Sequence, residues 1–98
     1  MDICFTCGKP AECSHHLLFG NSIRRLADED GIYLSMCNQC HNMAVDATSR
    51  IHGNVMAEKL SKMLGQALWE REYIANYIED PQIEAREAFR KRYGRSWL

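Results

Sequence analysis

The chain lacks several features that would settle its class at once. No stretch reaches the ~18 consecutive apolar residues of a membrane span, so no membrane-crossing helix is expected. Neither sign of charge dominates: 12 Lys+Arg against 13 Asp+Glu leave a formal net charge of -1, which excludes a uniformly basic wrapper of nucleic acid. Proline occurs only twice in 98 residues. There is also no internal repeat, low-complexity tract or long linker, so 1–98 is expected to be a single domain. The opening Met1-Asp2-Ile3-Cys4 has neither the basic n-region nor the apolar run of a secretory signal, which makes a cytoplasmic protein the expectation.

Cysteine, by contrast, is abundant, with five in a chain so short that an apolar core alone supplies only a few kcal/mol. All five cysteines, all four histidines and four of the six glycines fall within residues 1–53, whereas 54–98 reads as helix with interleaved charge. Cys4, Cys7, Cys37 and Cys40 form two Cys-x-x-Cys pairs with 29 residues between them. Four thiolates arranged as a tetrahedron suit a closed structural zinc site, and the long spacing means that something is inserted between the knuckles. Free cysteines buried as small hydrophobes would leave the repeated spacing unexplained. Cys37-Asn38-Gln39-Cys40-His41 also matches a haem-attachment signature, but that reading needs export and leaves Cys4 and Cys7 without a purpose. Cys13 is left over as a spare or buried thiol.

Element signals place a strand within Ala11–Phe19, a short helix from Asn21 or Ser22 to Asp30 stopped by Gly31, and a second strand over Ile32–Met36. A helix is expected from Asn38 to about Arg50. Apolar residues at 56, 60, 63, 64, 67, 68 and 74 mark one face of a long helix over Val55–Glu79, read as core with part of the stripe free for a homodimer interface. Pro81 breaks that helix, and Ile83–Tyr93 forms another, stopped by Gly94, with Trp97-Leu98 folding back on the core.

The histidines supply the second clue. His15, His16, His41 and His52 each fall beside a knuckle, strand end or helix. Adjacent strand residues point to opposite faces, so only one of His15 and His16 can aim straight at a given metal without a local twist. These residues resemble an HNH endonuclease of the His-Me finger (ββα-metal) superfamily, in the small zinc-stapled form common in phages and prophages. The match runs from Cys4 to about His52, and the tail Tyr93-Gly94-Arg95-Ser96-Trp97-Leu98 is similar to the ending of small phage proteins of this type.

The resemblance implies an α+β fold, with a ββα-metal core in 1–53 and a helical C-terminal extension in 54–98. It implies His16 as the general base and His15 and His41 as ligands of one divalent cation, Mg²⁺, Mn²⁺ or another, separate from the zinc. His52 is a further candidate ligand or phosphate contact. The activity implied is a metal-dependent DNA endonuclease or nickase leaving a 5′ phosphate. Where the family has its central Asn, this chain has Gly31-Ile32. A second reading is therefore a zinc module without efficient cleavage that binds a host or defence protein, or nucleic acid. Phosphate contacts are expected at Arg24 and Arg25 and at Arg90, Lys91 and Arg92 on the last helix, beside Arg86 and Arg95.

Overall fold

A computed structural model describes residues 2–76 and 81–98. The chain begins with a knuckle. Ile3 bridges Pro10, the Cys4 amide reaches the Lys9 carbonyl at 2.7 Å, and Gly8 turns the chain at φ 78°, a conformation that glycine adopts without steric cost. Strand β1 (Cys13–His16) then pairs antiparallel with β2 (Tyr33–Met36), setting Cys13 opposite Met36, His15 opposite Leu34 and His16 opposite Tyr33. The Phe5 amide donates to the Ser35 carbonyl at 2.9 Å, which lays the knuckle against β2.

Helix α1 (Ile23–Asp30) connects the strands and ends at Gly31, whose φ of 71° closes the helix with bonds to the Ala27 and Asp28 carbonyls. Beyond β2, the expected helix over 38–50 is only a turn at Gln39–Met43, followed by a 3₁₀ turn at Ala47–Ser49. The chain doubles back instead. Ile51 and His52 donate their amides to the Cys40 and His41 carbonyls at 2.9 and 3.0 Å, and the Arg50 guanidinium binds the Ala44 and His52 carbonyls. A continuous helix would have carried His52 away from His41.

Helix α2 (Val55–Ala75) is capped by the Asn54 side chain, and α3 (Pro81–Tyr93) opens on a proline, a residue whose fixed φ suits a first helical position. The end expected for the long helix, at Glu79, lies outside the described residues. The burial of α2 reverses the expectation drawn from its apolar spacing. Met56, Leu60, Met63 and Leu64 remain 64%, 54%, 39% and 38% exposed, and Ala67 is exposed as well. The buried positions are Ser61, Gly65, Gln66 and Glu70. Close approach accounts for part of this: a Cβ at Gly65 would sit 2.8 Å from Leu18 Cγ, so only glycine lets the helix lie on the end of β1. Hydrogen bonds satisfy the polar groups that the approach buries.

Two small cores result. Leu18, Ala27, Phe89 and Tyr93 form one, joined by half-buried Trp69 and Trp97, and Cys4, Met36 and Cys37 form the other beneath the knuckle. Asp30 ties the helices together, accepting from Trp69 Nε1 at 3.0 Å, Arg92 Nε at 2.7 Å and the Tyr93 hydroxyl at 2.7 Å. Burial alone would raise the Asp30 carboxyl, but Arg92, Tyr93 and Trp69 together hold it below the usual range. No helix among the described residues is long and apolar enough to cross a membrane.

Candidate metal centre

The fold brings two groups of ligating side chains together. Cys4, Cys7, Cys37 and Cys40 form the first, with all four sulfurs within 4.8 Å of one another. Cys7 Sγ and Cys37 Sγ are 3.7 Å apart, against the edge of about 3.8 Å of a tetrahedron with 2.3 Å metal–sulfur bonds. These four residues could therefore hold a metal such as zinc. Burial opposes ionisation of Cys4, but the Thr6 hydroxyl at 3.3 Å and the backbone bonds at Cys37, Cys7 and Thr6 bring its thiol down to about 5. At Cys40 the Thr6 hydroxyl again favours the thiolate, yet burial and the three neighbouring thiols win and push it up to about 11. Crowded thiolates oppose one another's ionisation, and a divalent cation at their centre would remove that opposition.

His15, His41 and His52 make up the second group, one ring nitrogen from each lying within 4.8 Å of the others. The His15 ring centroid is 5.1 Å from those of both His41 and His52. Their outward hydrogen bonds assign the proton positions. The Ser61 hydroxyl donates to the Leu17 carbonyl at 2.9 Å, so at 2.8 Å from His15 Nε2 it must accept. His15 Nδ1 is consequently unprotonated. It is fully buried and has no hydrogen-bond partner.

The Cys13 thiol is directed to the Met36 carbonyl at 3.3 Å, which leaves its sulfur to accept from His41 Nδ1 at 3.5 Å. His52 Nδ1 lies 3.4 Å from Glu58 Oε2 and donates to it. With both rings neutral and carrying their protons on Nδ1, Nε2 of His41 and Nε2 of His52 face each other as lone pairs at 3.1 Å. Two lone pairs at that distance repel, whereas two 2.0–2.1 Å bonds to one tetrahedral ion set nitrogens about 3.3 Å apart. The residues therefore fit a divalent cation on three neutral imidazoles with their outer nitrogens oriented by partners. Burial first, then the neighbouring histidines, depress His15 to about 3, and the same causes with Arg24 lower His41. All of this favours the neutral, ligating form.

His16 does not join this trio. Its neighbour in the strand faces the core, and His16 faces the other side of the sheet, against Tyr33 at 5.7 Å between centroids. There it meets Asp28 Oδ1 at 3.1 Å through Nε2 and Arg24 Nε at 3.4 Å through Nδ1, in an open cleft of about 400 Å³ that Ser22 and Arg25 also line. It stays within electrostatic reach of His15 and His41 and is among the causes that lower both.

The expected phosphate contacts divide. Arg92 is engaged by Asp30 and Glu29 and Arg25 by Glu29, while Arg24 lies beside His16, and Arg90 and Lys91 are exposed. Reasoning from sequence missed Cys13, Glu58 and Ser61 as partners of the histidines. The only available signal was that a serine and a glutamate sit beside, not on, the apolar stripe of α2. No family model matches the chain, and neither a curated protein nor a solved structure does.

Proposed function

We propose that the chain is a metal-dependent phosphodiesterase of the HNH type, a DNA endonuclease or nickase, with zinc on the four cysteines and a second divalent cation on His15, His41 and His52. The observation that carries this reading is the convergence of one ring nitrogen from each of His15, His41 and His52 to within 4.8 Å, together with a buried His15 Nδ1 that has no hydrogen-bond partner. Three neutral nitrogen donors favour a borderline transition ion such as Ni²⁺, Co²⁺ or Zn²⁺ over Mg²⁺ or Mn²⁺, which prefer oxygen. When bound, such an ion would polarise a phosphoryl oxygen and stabilise the leaving 3′ oxygen.

The protein's own residues supply the rest. His16 can act as the base once Arg24 Nε turns from its Nδ1 to the phosphate: that nitrogen then takes a proton from the attacking water while Asp28 accepts the Nε2–H and fixes the ring, a base held by an orienting carboxylate. Arg24 beside it meets the phosphate charge. Water oxygen bonds to phosphorus as the bond to the 3′ oxygen breaks, and the leaving oxygen takes a proton from solvent water, giving a 5′ phosphate and a 3′ hydroxyl. Incubation with supercoiled plasmid and Mn²⁺, Ni²⁺ or Mg²⁺ tests this. Nicking that is lost in His16→Ala is expected; intact plasmid with a folded, zinc-loaded protein under every metal overturns it.

One observation favours a second reading. The exposed Met56, Leu60, Met63 and Leu64 stripe supports a module that grips a protein, or a second copy of itself, through α2.

A further inference from the structure

Lys62 and Arg95 are linked to the three-histidine centre through two aromatic rings. Lys62 Nζ stands 4.5 Å from the centre of the Phe19 ring and 5.8 Å from that of Trp97, and the Arg95 guanidinium lies 4.7 Å from the Trp97 ring. Phe19 in turn sits edge-on to His52 at 4.9 Å and tilted against His15 at 5.8 Å. A continuous strip therefore leads from the histidines through Phe19, Lys62 and Trp97 to Arg95. Arg25, Arg86 and Arg92 each have a carboxylate partner, but among the described residues neither Lys62 nor Arg95 is in an ion pair.

The strip is held in place by the unexpected polar interior of α2. Gln66, fully buried, accepts the Trp97 amide on Oε1 at 2.6 Å and donates through its amide nitrogen to Ser96 Oγ at 2.9 Å and Glu70 Oε2 at 2.6 Å. Glu70 also accepts from Arg86 of α3 at 2.8 Å. Burying this network costs desolvation that an apolar face would have avoided. What it achieves is a fixed position for the C-terminal tail, with Trp97 and Arg95 set beside Lys62, one residue after the Ser61 that orients His15.

We infer that Lys62, Arg95 and the rings of Phe19 and Trp97 form a shelf for a nucleic-acid strand, the two cations turning from the ring faces they cover here to its phosphates and its bases taking their place on the rings. This inference rests on the nuclease reading and extends it, since the shelf would carry the strand flanking the phosphate at the histidine centre. Cations that have an aromatic face and no carboxylate as partner suit a phosphodiester chain, which offers phosphates to take the charge and bases to take the ring faces. An acidic peptide offers only the charge.

The test is fluorescence anisotropy of the full, zinc-loaded chain with a labelled single-stranded DNA of roughly 20 nucleotides over a series of KCl concentrations, without a second cation. Lys62→Gln and Arg95→Gln are each expected to lower the slope of log affinity against log salt by about 0.7. Lys62→Arg should restore it, with zinc content and helicity unchanged throughout. Unchanged slopes in both glutamine variants overturn the shelf even if the wild type nicks plasmid. Absence of binding by the wild type, or competition by polyglutamate as strong as by DNA, overturns it too. Reduced slopes without nicking under any metal would uphold the shelf and remove the nuclease reading.

Discussion

The two ligand clusters use the same few elements in opposite ways. Four sulfurs come from a knuckle and from the end of β2, two pairs at one spacing, and lie within 4.8 Å of one another, enough to supply all four ligands of a tetrahedral ion. Three nitrogens come from β1, the turn after β2 and the loop before α2, and a tetrahedral ion held by them would keep a fourth position for water or substrate. The cysteine cluster depends on local turns, with Gly8 and the Lys9 carbonyl shaping one knuckle. The histidine cluster depends on distant partners: Ser61 and Glu58 reach it from α2. A closed site is therefore a staple, and an open one is only as precise as the shell around it.

Breaking the staple should have the largest effect. Cys37→Ser is expected to lose both the metal and cooperative folding, because ion binding to such a site is worth on the order of 10 kcal/mol of folding free energy. Circular dichroism and a colorimetric zinc assay would check it, and a folded, zinc-free variant would show that the cysteines are no staple. The half-exposed His52 should behave otherwise. His52→Ala is expected to keep the fold and the zinc while Ni²⁺ or Co²⁺ affinity by calorimetry falls by more than roughly 100-fold, beyond the usual loss for an outer partner.

The outer shell should give an intermediate result. Ser61→Ala removes the acceptor of His15 Nε2–H and is expected to weaken ion affinity ~10- to 100-fold, with Ser61→Thr restoring most of it. Equal affinity in wild type and Ser61→Ala would mean that His15 is oriented by packing alone.

Acid should act through the histidines next. His15 is depressed to about 3 in the folded chain from an ordinary 6.5. Between those values the unfolded chain takes up a proton that the folded chain refuses, so stability is complete above about pH 6.5 and declines as pH falls toward 3. His41 shifts in the same direction. The stability difference between the wild type and His15→Gln, followed by urea unfolding at matched zinc load, should narrow over that window. A constant difference would mean that His15 does not titrate as its burial dictates. The smallest effect is expected at the exposed stripe: Leu60→Ser should change the monomer's stability by less than about 0.5 kcal/mol, read from the same urea curves.

Reading the chain alone went furthest where chemistry repeats at short range. Two Cys-x-x-Cys pairs, the strand before Cys37 and the Gly31 stop were visible because each is local, and the folded chain places them close to where they were expected. His15, His41 and His52 were also named from sequence, and the fold assembles them. The turn at Gln39–Met43 was mistaken for a helix running to Arg50, because no local signal shows that Arg50 will draw the chain back on itself.

The apolar spacing of α2 misled for a related reason. Periodicity shows that a helix has an apolar face but not which face lies inward. Here Gly65 against Leu18, together with Ser61, Gln66 and Glu70 in hydrogen bonds, made the polar face the buried one. By itself, then, the sequence determined the ligand types, their local turns and the order of elements, which depend on neighbouring residues. Only the tertiary structure decided which ring nitrogens converge, which residues hold them and which side of α2 faces solvent, because those outcomes rest on contacts between residues dozens of positions apart.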